Sequence, residues 1–413
     1  MLTLIENAVL WDREHPVPRT TDVLIDGQHI ARTHEVPGTL RSEASGAQRF
    51  IDGSGCTLMP GMVEGHCHLS FTGPSSNADL GNIPPEDHVL ASAANATLLL
   101  RHGFTSAFSA ASARLRIDVA LRNAIDAGQL VGPRLRAASP ELTVTGGLGD
   151  ERQLHQDRHG FGMIADGPIA MRQAARLCIR EGVDNLKINI SGDEFVSHVR
   201  AERNPLCDDE LAAFVEIARK FGKTTVAHAR SSDSVKQAIH AGIDCIYHCD
   251  FADSEALDLL EAHKSSVFVG PAIGLVHNAL IERAHFGLDE ATVKGMGLQR
   301  KFDHCVATYQ ELRKRGLRVV VGGDYGFALT PMGTNARDIA HFVNYLGYST
   351  HEALCCATSV GAELMGNGLS TGMVCEGFLA DLLLVRGDPL ADVGILQHQS
   401  SLAMVMKDGH VCF

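Results

Sequence analysis

Leu58-Met59-Pro60-Gly61-Met62-Val63-Glu64-Gly65-His66-Cys67-His68 carries an apolar, strand-like run into two histidines separated by one residue. On a β-strand, residues i and i+2 face the same side. His66 and His68 can therefore point at one metal ion. In a chain with 21 histidines such a pair is weak evidence by itself. Its meaning depends on what the rest of the chain places beside it.

Outward from this stretch the sequence alternates. Short β-like runs read at 57–63, 104–108, 135–138, 186–190, 224–227, 244–247, 266–269 and 317–321. Helical patterns lie between them at 85–101, 117–127, 169–181, 208–221, 232–241, 254–263 and 304–315. Strands followed by helices in this number predict a (β/α)8 TIM barrel. Both ends of the chain differ from this middle. Leu2-Thr3-Leu4-Ile5, Asp22-Val23-Leu24-Ile25 and Leu402-Ala403-Met404-Val405-Met406 read as strands, and Asp26-Gly27 and Asp408-Gly409 are hairpin signals. The expected organisation is a catalytic barrel over 59–369 and a small β-sandwich that both termini build, from 1–58 and 370–413.

The chain has 413 residues, 45% of them apolar and 21% charged, enough for a large core and against disorder. Its formal charge is −13 and no basic cluster stands out, which argues against nucleic acid or an anionic membrane as partner. No apolar run approaches the ~18 residues of a membrane span, and the first ten residues lack a basic n-region. Eleven cysteines at irregular spacing, with no Cys-x-x-Cys zinc pattern, suggest free thiols. The expected location is the cytoplasm.

Chemistry in such a barrel sits at the C-terminal ends of the strands. The first strand ends in His66 and His68, and the fourth carries Lys187. The fifth ends in His228 and the sixth in His248, and the eighth delivers Asp324. Any one of these has an ordinary explanation. Six metal-ligand types from five strands, aimed at one face, are hard to explain without metal.

This ordered set resembles the amidohydrolase superfamily, in its binuclear-metal branch. Pro60-Gly61-Met62-Val63-Glu64-Gly65-His66-Cys67-His68 is similar to the family's Pro-Gly-hydrophobic-Asp-x-His-x-His opening. Gly377-Phe378-Leu379-Ala380-Asp381-Leu382 and Gly387-Asp388-Pro389-Leu390 are similar to its closing signature. Thr145-Gly146-Gly147, Leu186-Lys187-Ile188 and the stretch from Pro331 through Asn335-Ala336-Arg337 resemble the prolidase-like and ochratoxin-hydrolysing members.

The resemblance implies roles. His66, His68 and Asp324 would bind a first divalent metal, and His228 and His248 a second. Lys187, as a CO2-derived carbamate, would bridge the two. An ammonium has no acceptor and cannot ligate a cation, whereas a carbamate is a two-oxygen anion. Zinc is the expected metal, with iron, manganese and cobalt left open. The implied reaction is hydrolysis of an amide C–N bond by a metal-bridging hydroxide, with Asp324 moving the proton to the leaving amine. The substrate would be a small-molecule amide, namely an N-acyl amino acid, a dipeptide or an ochratoxin-type aryl amide. The resemblance also implies a homo-oligomer.

Departures from the family pattern bear on substrate. Arg230 follows His228 by two residues and either meets a substrate carboxylate or pairs with an acidic neighbour. Tyr325, next to Asp324, either narrows the pocket or only packs. His155 and His159, in the long loop after the third strand, either reach the site or face solvent. Two other readings stand beside this one: a mononuclear deaminase or imidazolonepropionase-like hydrolase, and a non-catalytic barrel relative.

Overall fold

In the computed structural model, residues 1–74, 76–155, 160–366 and 370–413 are described. Met62–Cys67, Phe104–Ser109, Arg134–Arg136 with Ala138–Thr143, Asn185–Asn189, Thr224–Ser231, Cys245–Phe251, Phe268–Gly270 and Arg318–Val319 pair in parallel, in chain order. The ring closes where the Gly65 amide donates to the Val321 carbonyl at 2.8 Å. These are the strands of a (β/α)8 barrel. Val63, Phe108, Val226, Tyr247 and Val320 fill its interior. A larger apolar layer joins the strands' outer faces to the surrounding helices.

Both termini build the small β-unit. Its eight strands form one sheet in the order His410–Val411, Leu402–Lys407, Leu382–Arg386, Cys56–Pro60, Leu2–Leu10, Arg19–Asp26, His29–His34, with Arg49–Asp52 paired to Leu2–Leu10. Alternation along the strands gives it two apolar faces. Ile5, Val23, Ile25 and Leu382 belong to one cluster, and Leu4, Leu24 and Leu40 to another.

The run read as one strand at 57–63 is two. Cys56–Pro60 belongs to the terminal sheet and Met62–Cys67 to the barrel. Gly61 is the hinge. Its amide donates to the Asp381 carbonyl in the terminal sheet, and the next amide, of Met62, donates to Gly103 in the barrel. A Cβ on Gly61 would lie 2.1 Å from the Thr105 hydroxyl, so only glycine permits this close approach. The third strand also differs from expectation. It breaks at Ala137, where Arg134–Arg136 pairs with the second strand and Ala138–Thr143 with the fourth. The helix expected at 304–315 begins earlier, as Leu298–Lys314. Among the described residues no helix is long and apolar enough to cross a membrane.

Candidate metal centre

The six side chains read as ligands gather at the C-terminal rim of the barrel. His66, His68, Lys187, His228, His248 and Asp324 all line one cleft of about 840 Å³, counting its open mouth. None is more than 8% exposed. The Asp324 Oδ1 oxygen lies 3.0 Å from His68 Nε2 and 3.5 Å from His66 Nε2. His66, His248 and Asp324 each bring a ligand atom within 4.8 Å of the other two. The His228 and His248 rings are 4.3 Å apart between centroids.

The backbone is strained where it delivers ligands. His248 has φ 80° and Asp324 φ 61°. Left-handed conformations cost a non-glycine residue on the order of 1 kcal/mol or more and cluster at functional sites. Space is equally tight behind them. A Cβ on Gly322 would lie 2.5 Å from the backbone nitrogen of His66, so glycine lets the eighth strand close against the first.

The environment fixes ring orientation and charge. Tyr247 stacks on His66 at 3.7 Å, and Phe71 stacks on His68 at 4.2 Å. His68 Nδ1 contacts the Ala111 carbonyl at 3.1 Å, and His228 Nε2 contacts that of Gly192 at 3.0 Å. A carbonyl accepts, so each of these nitrogens carries the proton and the other keeps its lone pair. Burial holds His66, His228 and His248 well below the usual imidazole range, so they are neutral, the form that ligates cations. Burial raises Asp324, but His66, His68 and Lys187 lower it by more, and the carboxylate stays ionised.

Lys187 is 1% exposed and makes no ion pair among the described residues. Its Nζ lies 5.1 Å from the centroid of the Tyr247 ring. Burial lowers its pKa, with Glu141 and Asp324 only partly opposing. A larger neutral fraction makes the amine a better nucleophile toward CO2.

These donors fit divalent cations. The Nδ1 atoms of His66 and His248 are buried without a hydrogen-bond partner among the described residues. Such orphaned atoms are costly unless something else satisfies them. Neutral imidazoles around a carboxylate form a donor set that suits zinc and its neighbours.

The remaining sequence expectations fare differently. Arg230 does not offer its guanidinium to the cleft. It is 1% exposed, its Nε donates to Asp193 Oδ2 at 2.7 Å, and its Nη1 donates to Asp250. Of the two roles left open for it, a substrate contact and an acidic pairing, the structure has the acidic pairing. Tyr325 does not narrow the pocket either. It is fully buried off the cleft wall, with its hydroxyl donating to Asp338 at 3.2 Å. His155 is exposed and is not a lining residue. His159 lies outside the described residues.

Several residues escaped the sequence reading. Glu64 is buried behind His66, accepts from the His66 amide and from Asn335, and is pushed up to about 8 by burial. Glu141 and Asp193 stand on the cleft wall. Glu141 pairs across the sheet with Lys187. A third strand placed at 138–143 would have exposed it to sequence reading; Asp193 carries no such signal.

Against known proteins, the amidohydrolase family model matches residues 57–412. Ochratoxinase from Aspergillus niger is 26% identical over 373 residues, which cover 85% of this chain and 75% of that protein. The crystal structure of that enzyme superposes with a TM-score of 0.86 at 23% identity, over 99% of this chain and 95% of the other. A Xaa-Pro dipeptidase with bound methionine gives a TM-score of 0.86 at 24% identity, over 100% and 99% of the two chains.

Proposed function

The chain belongs to the amidohydrolase family, hydrolases of carbon–nitrogen bonds, and on that premise we propose that it is a binuclear-metal hydrolase of a small-molecule amide. One observation carries this reading: six ligand-type side chains from five strands line a single cleft, with neutral imidazoles among them and a lysine that has no ion pair among the described residues. His66, His68 and Asp324 would hold one cation and His228 and His248 the other. Lys187 would bridge them after its neutral amine adds CO2, forming an N–C bond and releasing one proton. Zinc is the metal we expect.

Bound divalent cations supply Lewis acidity toward a carbonyl and lower the pKa of water. The chain's own groups do the rest. Asp324 is ionised and sits at the mouth of the eighth strand, so its carboxylate takes the proton of the attacking water. It returns that proton to the departing amine nitrogen. Phe71 and Tyr247 hold the His68 and His66 rings in register by stacking. The substrate classes that fit are N-acyl amino acids, dipeptides and aryl amides of the ochratoxin type.

Metal analysis tests the reading, combined with a screen of N-acyl amino acids and aryl amides. About two ions per chain with amide hydrolysis support it. About one ion per chain with ring hydrolysis or deamination supports the imidazolonepropionase-like alternative. No bound metal and no turnover would leave a non-catalytic barrel. Crystals grown with metal and bicarbonate should carry density for a carbamate on Lys187.

A further inference from the structure

The walls of the cleft indicate which amides it admits. Phe71, Phe161, Phe195 and Phe327 line it. Phe161 and Phe327 meet the Phe71 ring edge-to-face, at 5.8 and 5.1 Å between centroids. Such an arrangement takes an aryl ring as one more member. Among the described residues, the charged groups facing the same space are the carboxylates of Glu141, Asp193 and Asp324, with Lys187. Asp193 presents there with its guanidinium partner, Arg230, buried behind it. Glu141 accepts from Asn189 Nδ2 at 2.6 Å, and no other hydrogen bond reaches its carboxylate among the described residues. Lys187 is the one lining ammonium or guanidinium group among them, and as a carbamate it would carry no positive charge. Away from the ligand cluster, a substrate carboxylate would lose its water beside Glu141 and the Arg230-paired Asp193, and among the described lining residues no other lysine or arginine would meet it.

Resting on the hydrolase reading above, we propose that the cleft selects aryl-bearing amides that carry no carboxylate, and that Glu141 and Asp193 are the specificity-determining residues. Glu141 then accepts a hydrogen bond from an N–H of the substrate. Among the substrate classes above, this favours aryl amides over dipeptides and N-acyl amino acids.

The test uses two amides that differ by one carboxylate, N-benzoyl-2-phenylethylamine and N-benzoylphenylalanine, with the metal-loaded full chain. The carboxylate-free amide should have a kcat/KM at least about tenfold higher. Equal or reversed values overturn the proposal. If neither amide is hydrolysed, the hydrolase reading is what fails, and calorimetric binding of the same intact amides still decides the selectivity. A Kd about tenfold lower for the carboxylate-free amide supports it; equal affinities, reversed affinities or no binding of either overturn it.

Two variants locate the cause. Leu148→Lys places an ammonium on the wall and should narrow the ratio about tenfold. Glu141→Gln removes one negative charge and should narrow it about threefold. If both fold by circular dichroism and neither narrows the ratio, the assigned residues are wrong and the proposal falls.

Discussion

Two buried polar clusters adjoin at the C-terminal rim of the barrel, where His228 Nε2 lies 3.7 Å from Asp193 Oδ2, and they treat charge in opposite ways. In one, Arg230 is shared by Asp193 and Asp250, and Lys301 lies 2.6 Å from Glu194. In the other, the candidate metal centre, His66 and His248 keep orphaned nitrogens and Lys187 has no ion pair among the described residues. In the first cluster every charge faces an opposite charge, although Asp250 Oδ1 has no hydrogen-bond partner among the described residues. The second is incomplete without a ligand. Charge pairing, rather than burial, separates a structural cluster from a reactive one.

The sharpest way to break this contrast is to remove one member of each. Asp324→Asn should lower kcat about 10,000-fold, equivalent to ~5.5 kcal/mol. It should move the denaturant stability of the metal-free protein by less than about 1.5 kcal/mol. Arg230→Met should do the reverse. It strands two buried carboxylates and should cost about 3–5 kcal/mol in urea unfolding. If Arg230→Met unfolds like the parent protein, the charge-paired cluster is not a structural one.

Asp118 lies between the two regimes. Its Oδ2 accepts from Ser109 and from the Ala138 amide, while Oδ1 is buried without a partner. Burial pushes its pKa from 3.8 up to about 6. The folded state therefore keeps a proton that the unfolded chain has released between those values. Stability should fall by about 3 kcal/mol as pH rises through that window and stay level above it. Urea unfolding at closely spaced pH values reads the slope, and Asp118→Asn should flatten it. The smallest effect is expected at the surface. Lys220 pairs with Glu216 at 2.5 Å, but its side chain is 64% exposed, so Lys220→Ala should change stability by less than about 0.5 kcal/mol.

Legibility in the sequence followed the range of the interaction. Helices 85–101 and 232–241 match the structure to the residue, because apolar periodicity and end signals are local. The break at Gly61 was not readable, because Thr105 and Asp381 impose it from elsewhere. Lys301 fell outside the expected helix, and its ion-pair partner Glu194 is 107 residues away. The third strand looked short because only its first half pairs with the second strand. Glu141 was lost with its second half.

Alone, the sequence determined the barrel alternation and the identity of the six ligand-type residues, since strand period and strand-end position are set within a few residues. Tertiary structure alone decided what each charge faces. Arg230 meets acids 37 and 20 residues away and turns from the cleft, whereas Glu141 and Asp193 turn toward it. The reason is physical: a buried charge is governed by its nearest partner in space, and no local pattern in the chain encodes which partner that is.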